Sequence, residues 1–416
     1  MNRRDDAWSL PRVEDFILPR LRKHDYEIGA MRSLRAKIKS EPLNFSTADP
    51  TIDTPAHIKR AMVEALRRPD AAHYTRIRGL PDFVNAVSEF YGKFDVQVDP
   101  MAEVVATGGV GEALYIVFAA IIAPRDEFIL PNPTFPNYAS ILELQGGIPR
   151  FVPVRPDFHL DPEAISEAVT DRTKAIVICT PNNPTGAVYD RRELEEVSAI
   201  ARDNNLLVIS DESYSQVTYD GKKHVSTASL RKAMERTIVV NGLSKVYAMT
   251  GWRLGYIIAR RELTEQFEKL AFEIRGSVNT AVQYAGIAAL RTPQKIIDSI
   301  VRGYDRRRRL TIRLLRDAGF ECHIPEGGFE AFPRIPNGFK DSMDFARFLA
   351  ERAGVLVKPG SYFGPKGKSN FRVVFCKDEN TIVEGLKKIK ETMGSLSDEG
   401  GHHQSTGQDK HVARMR

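Results

Sequence analysis

The sequence predicts an α/β protein: a large domain built on a mostly parallel sheet flanked by helices, followed by a smaller α+β domain. Two observations carry this. Between about residues 103 and 275, short β-branched runs alternate with helix-period stretches. Beyond about residue 295 the alternation gives way to a long basic helix, a glycine-rich stretch and further short elements.

In the first region the expected strands are Val104–Ala106, Phe128–Leu130, Ala175–Cys179, Leu206–Ile209, Ile238–Val240 and Tyr256–Ala259. Between them, Glu112–Ile122 is apolar nearly all round and reads as a buried helix, whereas Arg192–Asp203 carries Leu194, Val197 and Ile200 on one face. Crossovers in such a sheet place a ligand site at the carboxyl ends of the strands. In the second region, a helix over Ile296–Ala318 leads into Gly327-Gly328-Phe329-Glu330-Ala331-Phe332, a helix near Ser342–Arg352, and strands at Val355–Val357 and Phe371–Phe375. No internal repeat is visible. The expected organisation is an N-terminal arm that contributes to the small domain (1–60), a large domain (61–294), a small domain (295–393) and a disordered tail (394–416), since the tail is polar and lacks apolar periodicity.

At 416 residues, 42% hydrophobic and 27% charged, the chain has the balance of an ordinary soluble protein of about two domains. Its net charge of +6 suits anionic small molecules and does not demand nucleic acid. Arg306, Arg307, Arg308 and Arg309 account for part of the excess and read as a solvated helix face rather than a binding patch. Cys179, Cys322 and Cys376 are odd in number and far apart, so neither a disulfide framework nor a zinc site is indicated, and a reducing cytoplasm fits best. His402 and His403 read as part of a solvated tail before they read as metal ligands. No apolar signal core opens the sequence and no 18-residue apolar stretch occurs, so no membrane association is expected.

Two motifs tempt and fail. Gly109-Val110-Gly111-Glu112-Ala113-Leu114 begins as a dinucleotide fingerprint, but Leu114 stands where the third glycine would allow close helix–strand contact. Gly367-Lys368-Ser369 ends like a phosphate-binding loop, but Tyr362 stands where its first glycine should be.

The informative segments are four. Asn241-Gly242-Leu243-Ser244-Lys245-Val246-Tyr247-Ala248-Met249-Thr250-Gly251-Trp252-Arg253-Leu254-Gly255-Tyr256 follows an apolar strand. Thr180-Pro181-Asn182-Asn183-Pro184-Thr185-Gly186 is a turn after another strand. Asp211-Glu212-Ser213-Tyr214 ends a third, and Asn370-Phe371-Arg372-Val373 lies near the C-terminus. Together, and in their order along the chain, they resemble the class I/II aminotransferases of fold type I, enzymes that use pyridoxal 5′-phosphate (PLP). The resemblance covers roughly residues 40–392, and it implies a large PLP-binding domain plus the small domain already expected.

By this resemblance Lys245 carries the cofactor as a Schiff base, and desolvation and nearby positive charge would favour the neutral amine it needs. Asp211 matches the aspartate that keeps the pyridine nitrogen protonated. Asn183 and Tyr214 match the pair that donates to the phenolic oxygen. Arg253 and the backbone N–H groups of Val110, Gly111 and Glu112 would hold the phosphate at a helix N-terminus, with the Glu112 side chain facing away and Ser244 adding a hydroxyl. Phe135 falls where the family stacks an aromatic ring on the cofactor. Tyr74, in His73-Tyr74-Thr75-Arg76-Ile77-Arg78-Gly79, resembles the tyrosine that reaches the phosphate of the neighbouring subunit, which implies a homodimer with shared sites. Arg372 matches the arginine that grips the substrate α-carboxylate, a task suited to a guanidinium fork.

The chain departs from the commonest family pattern at two places. Ala48 stands where many relatives carry glycine near the substrate carboxylate. Glu330 lies near the expected mouth of the small domain; contact with a cationic substrate and simple surface exposure both remain open, exposure being the plainer reading. The activity implied is transfer of an amino group from an L-amino acid to a 2-oxo acid. The same residues would serve a PLP-dependent lyase, cyclase or oxidase. A PLP-sensing regulator fused to a DNA-binding module fits poorly, because only about 40 residues precede the family core.

Overall fold

The structure, a computed structural model, describes residues 27–404, with side chains within 29–396. Seven strands form the main sheet: β1 (Val104–Thr107), β2 (Glu127–Asn132), β3 (Ile148–Pro153), β4 (Thr173–Cys179), β5 (Leu207–Asp211), β6 (Thr237–Gly242) and β7 (Gly255–Ile258). Their order is β1-β7-β6-β5-β4-β2-β3. All neighbours are parallel except β7, which runs antiparallel to both β1 and β6. Strands β4 to β7 are almost wholly buried, as continuous apolar runs covered by helices on both faces should be.

Strand β3 escapes the sequence pattern for a physical reason. Ile148-Pro149-Arg150-Phe151-Val152-Pro153 contains two prolines and is half exposed, because it is an edge strand hydrogen-bonded only to β2. An edge tolerates residues that lack an N–H.

Helix α1 (Val110–Ile121) starts two residues before the expected Glu112, and it buries Ala113, Leu114, Ile116, Val117 and Phe118 against the sheet. Leu114 is thus core, consistent with the failed dinucleotide fingerprint. The Gly367 segment also binds no phosphate-loop geometry: Pro365–Ser369 is a 3₁₀ turn packed against Gly360, with Gly367 and Gly360 too close for any side chain between them.

The C-terminal part contains helices α2 (Gln294–Asp317), α3 (Ser342–Ala353) and α4 (Glu379–Gln404), around a three-stranded antiparallel sheet of Lys358–Pro359, Phe371–Val374 and Glu330–Ala331. The early segment Leu43–Asn44 pairs in parallel with Val355–Leu356, so the chain before the main sheet joins this part of the molecule. Helix α4 carries the chain past Gly394, where order was expected to end. Its stem is anchored by buried Ile382, Leu386 and Ile389 at helical spacing. Residues 1–26 and 405–416 lie outside the described residues, as do the side chains of His402 and His403.

Of the arginine run, Arg306 and Arg309 are exposed, but Arg308 is buried and paired with Asp220 and Asp305, so the helix face is not uniformly solvated. Among the described residues no helix is long and apolar enough to cross a membrane, and no group of three or more His, Cys, Asp or Glu side chains is placed to hold a metal ion.

Candidate active site

Parallel strands deliver their carboxyl ends to one edge of the sheet, and the expected site residues follow from those ends. Gly109 comes two residues after β1, Phe135 three after β2, Asn183 four after β4, and Asp211 is the last residue of β5. Lys245 comes three residues after β6, while Arg253 lies two residues before the reversed strand β7 and so reaches the same edge. They surround a cavity of about 510 Å³, lined among others by Ala48, Val110, Gly111, Phe135, Asn183, Asp211, Tyr214, Ser244, Lys245 and Arg253. That volume is typical of small-molecule sites.

Lys245 extends into this cavity, and its Nζ donates to the Ala48 carbonyl at 3.0 Å. Desolvation holds its amine below the usual lysine range; the Arg372 charge lowers it further, while Glu330, Cys376 and Asp211 oppose the shift. An amine held this way is neutral, and therefore nucleophilic, for more of the time.

Asp211 is 3% exposed. Tyr138 Oη donates to its Oδ2 at 2.7 Å, and the Ser213 N–H donates to its Oδ1 at 3.0 Å. Burial raises its carboxyl above the ordinary aspartate range, against the pull of Ser213, Tyr138 and Lys245. A desolvated carboxylate with donors already in place favours a cation opposite it. Tyr138 and Ser213 were not singled out from the sequence; the available signal was the i, i+3 spacing of Tyr138 from Phe135 across the start of the helix Pro136–Gln145. The two rings meet edge to face at 5.4 Å, which orients Phe135 at the cavity wall.

Gly109 caps α1 with φ +99°, and Val110 and Gly111, whose N–H groups have no partner within the helix, line the cavity. Arg253 lies against this turn, and a Cβ on Gly109 would come within 2.7 Å of its guanidinium. Helix N-terminus and guanidinium therefore form one cradle with no side chain between them, a shape and charge suited to a phosphate. The Glu112 side chain turns away to pair with Arg275, so only its backbone belongs to the cradle. Ser244 lines the same cavity.

Arg372, on the strand Phe371–Val374, is 2% exposed and lies behind the cavity wall. It donates to Asn183 Oδ1 at 3.1 Å and to the Ser46 carbonyl, and lies over the Phe363 ring at 5.1 Å. Its Nε is buried without a hydrogen-bond partner, an orphan donor that a carboxylate would satisfy.

The reading of Glu330 as a surface residue changes, and Tyr214 has a partner the sequence did not show. Tyr214 lines the cavity, and its hydroxyl donates to Glu330 Oε1 at 2.6 Å. Glu330 is 0% exposed, so it is no surface residue at the domain mouth. Its strand pairs it with Val374, which turns the carboxylate inward beneath Tyr214. Tyr74 is 94% exposed and does not line this cavity; its expected role lies in a neighbouring subunit.

Residues 40–389 match the family described as aminotransferase class I and II. The chain belongs to the class I and II aminotransferases. An aspartate aminotransferase of Pyrococcus horikoshii is 34% identical over 367 residues, covering 86% of this chain and 92% of that one. The aromatic-amino-acid aminotransferase 2 of Thermococcus litoralis is 34% identical, covering 84% and 91%. Among solved structures, an aromatic aminotransferase from Pyrococcus horikoshii superposes with a TM-score of 0.83 at 34% identity, covering 88% of this chain and 99% of that one. The protein is thus a transaminase of fold type I, an enzyme that transfers amino groups. The donors around the cavity fit the phosphate, ring and imine of PLP, the cofactor of this family.

Proposed function

We propose that this aminotransferase binds PLP covalently on Lys245 and moves an amino group from an L-amino acid to a 2-oxo acid in two half-reactions. The observation that carries the reading is that Lys245, the buried carboxylate of Asp211 and the α1–Arg253 cradle all line one cavity. Bound PLP would supply an electron sink for the charge left at the substrate Cα when its proton departs.

The protein's own groups divide the remaining work. Arg253, Ser244 and the N–H groups of Val110, Gly111 and Glu112 hold the phosphate. Asp211, fixed by Tyr138 and Ser213, keeps the ring nitrogen protonated. Phe135 covers a ring face, and Asn183 presents its amide to the phenolic oxygen. Arg372 binds the substrate carboxylate, with Ala48 beside it. Lys245 Nζ would take the proton from the substrate Cα, hold it and give it back, while bound cofactor would supply the sink for the charge left behind. The low basicity of Nζ supports this shuttle.

The reading extends to a homodimer, in which Tyr74, exposed on this protomer, reaches the phosphate of its partner. It also places the enzyme in the cytoplasm, which the three buried, unpaired cysteines support.

The test is a single half-reaction. Purified protein loaded with PLP and given an L-amino acid without acceptor releases one equivalent of 2-oxo acid per site, and borohydride reduction fixes the cofactor to the peptide containing Lys245. Absence of cofactor on that peptide, or undiminished turnover by Lys245→Ala, sinks the proposal.

A further inference from the structure

A second cavity, of about 490 Å³, shares no lining residue with the one around Lys245. Three pieces of chain enclose it: the end of the helix Pro81–Gly92, the loop that follows β5, and the first turns of α2. Its size suits a small molecule.

The lining divides by chemistry. Phe90, Phe94 and Val301 supply apolar surface. Lys93, Lys223 and Arg302 supply charge, and among the described residues none of the three pairs with a carboxylate; the Lys93 ammonium lies over the Phe90 ring at 5.5 Å instead. The other charges on the wall are already matched. Lys222 pairs with Glu326 at 2.7 Å, and Asp298 accepts from Gln294 Nε2 at 2.9 Å. A cleft lined by one sign of charge over apolar walls concentrates the opposite sign.

His224 adds a buried polar atom. Its ring meets Phe94 edge to face at 5.2 Å, and its Nε2 lies 3.2 Å from Oε2 of Glu212. Glu212 is fully buried and also accepts from the hydroxyls of Tyr91, Ser210 and Ser226 and from the Thr227 N–H, so it is a fixed anchor for the imidazole. Nδ1 is left buried without a hydrogen-bond partner, on a residue that lines the cavity. Such an atom is costly unless something satisfies it. It accepts from a hydroxyl when the ring is neutral and donates to an anionic oxygen when the ring is protonated.

We propose that this cavity is a second ligand site, shaped for a phosphate monoester that carries an apolar ring. Lys93, Lys223 and Arg302 hold the phosphate, the guanidinium fork of Arg302 matching two of its oxygens. Phe90, Phe94 and Val301 cover the ring. Three unpaired cations favour the double charge of a phosphate monoester over the single charge of a carboxylate. The ligand bridges the loop after β5 and α2, so its binding stabilises the folded chain.

The test is calorimetric titration of the PLP-loaded enzyme, in which the cofactor's own phosphate occupies the Arg253 cradle. The probes are phenyl phosphate, benzoate, phenol and inorganic phosphate. Phenyl phosphate is expected to bind to a single class of site, at least about tenfold more tightly than each of the other three, and to raise Tm. Lys223→Gln combined with Arg302→Gln is expected to weaken it by about 10–100-fold, the scale of losing hydrogen bonds to a charged group. The same variant should keep its kcat/KM for amino acids, because both side chains are exposed and lie outside the cavity around Lys245. Absence of saturable binding, binding that the double variant retains, or benzoate or inorganic phosphate that matches phenyl phosphate overturns the proposal. Binding at an unfilled cradle would survive the double variant, so it counts against the second site as well. Lys223→Gln alone, expected to cost about tenfold, decides the question if the double variant does not fold.

Discussion

Arg372 orients Asn183. Its Nη1 donates to Oδ1 of Asn183 at 3.1 Å, so the amide oxygen is occupied from behind and the amide NH₂ is the end left for the cavity. The same guanidinium carries the orphan Nε. Under the proposed function, one buried arginine would therefore link the substrate carboxylate to the cofactor's phenolic oxygen.

That linkage predicts a double effect for Arg372→Lys. A lysine can replace the charge but not the fork, and it would leave both the substrate and Asn183 poorly held. We expect kcat/KM for amino acids to fall by about 10²–10³-fold, the scale of losing a partner from a buried charged hydrogen bond. The pH midpoint of the bound-cofactor absorbance should move as well. A change in KM with no spectral change would break the link between Arg372 and Asn183.

Asp211 and its donors should be graded in importance. Asp211→Asn keeps the shape and removes the charge, and kcat should fall by about 10²–10³-fold. Tyr138→Phe removes one donor at 2.7 Å and should cost about tenfold, with burial then raising the Asp211 carboxyl further. Steady-state rates for the two variants under one protocol check the order; equal losses would show that Tyr138 is not a mere support.

Tyr74 should behave as a residue of the partner's site. Tyr74→Phe is expected to weaken PLP affinity by about 10–100-fold, the value of one hydrogen bond to a charged group, while the chain remains a dimer by light scattering. Unchanged PLP affinity, or a monomeric wild type, would remove Tyr74 from the cofactor site.

The clip between the two parts of the chain carries a pH signature. His159 Nδ1 lies 2.9 Å from Glu193 and its Nε2 lies 3.2 Å from Glu326, which also binds Lys222 at 2.7 Å. The Glu193 and Glu326 carboxylates raise His159 from 6.5 to about 10. The hydrogen bonds from His159 and Lys222 outweigh burial and hold Glu326 at about 2 rather than 4.5. The His159 contribution to stability is complete below pH 6.5 and is lost as pH rises through about 10. That of Glu326 is complete above pH 4.5 and is lost as pH falls through about 2. Both are present in full only between 4.5 and 6.5. Urea unfolding of His159→Gln against wild type should therefore show its largest deficit near pH 5.5 and almost none above about 10. A deficit independent of pH would mean that packing, not charge, explains the clip.

What could be read from the chain, and what could not, divides by distance along it. Lys245, Asp211, Asn183 and Arg253 each lie in a short run of residues at or near a strand end, and the sheet brings such runs to one edge whatever fills the space between. The alternation of apolar strands and helices was legible for the same local reason. Strand β3 was not, because two prolines on an exposed edge erase the pattern that buried strands display. Above all, the pairings that set each site residue to its task were invisible. Tyr138 is 73 positions from Asp211, Tyr214 is 116 from Glu330, and Asn183 is 189 from Arg372. A hydrogen bond depends on where two atoms meet in space, and residues that far apart in sequence meet only once sheet order and the packing of the C-terminal strands have placed them. Residue identity in local runs names the chemistry the chain can perform; the folded packing assigns each proton.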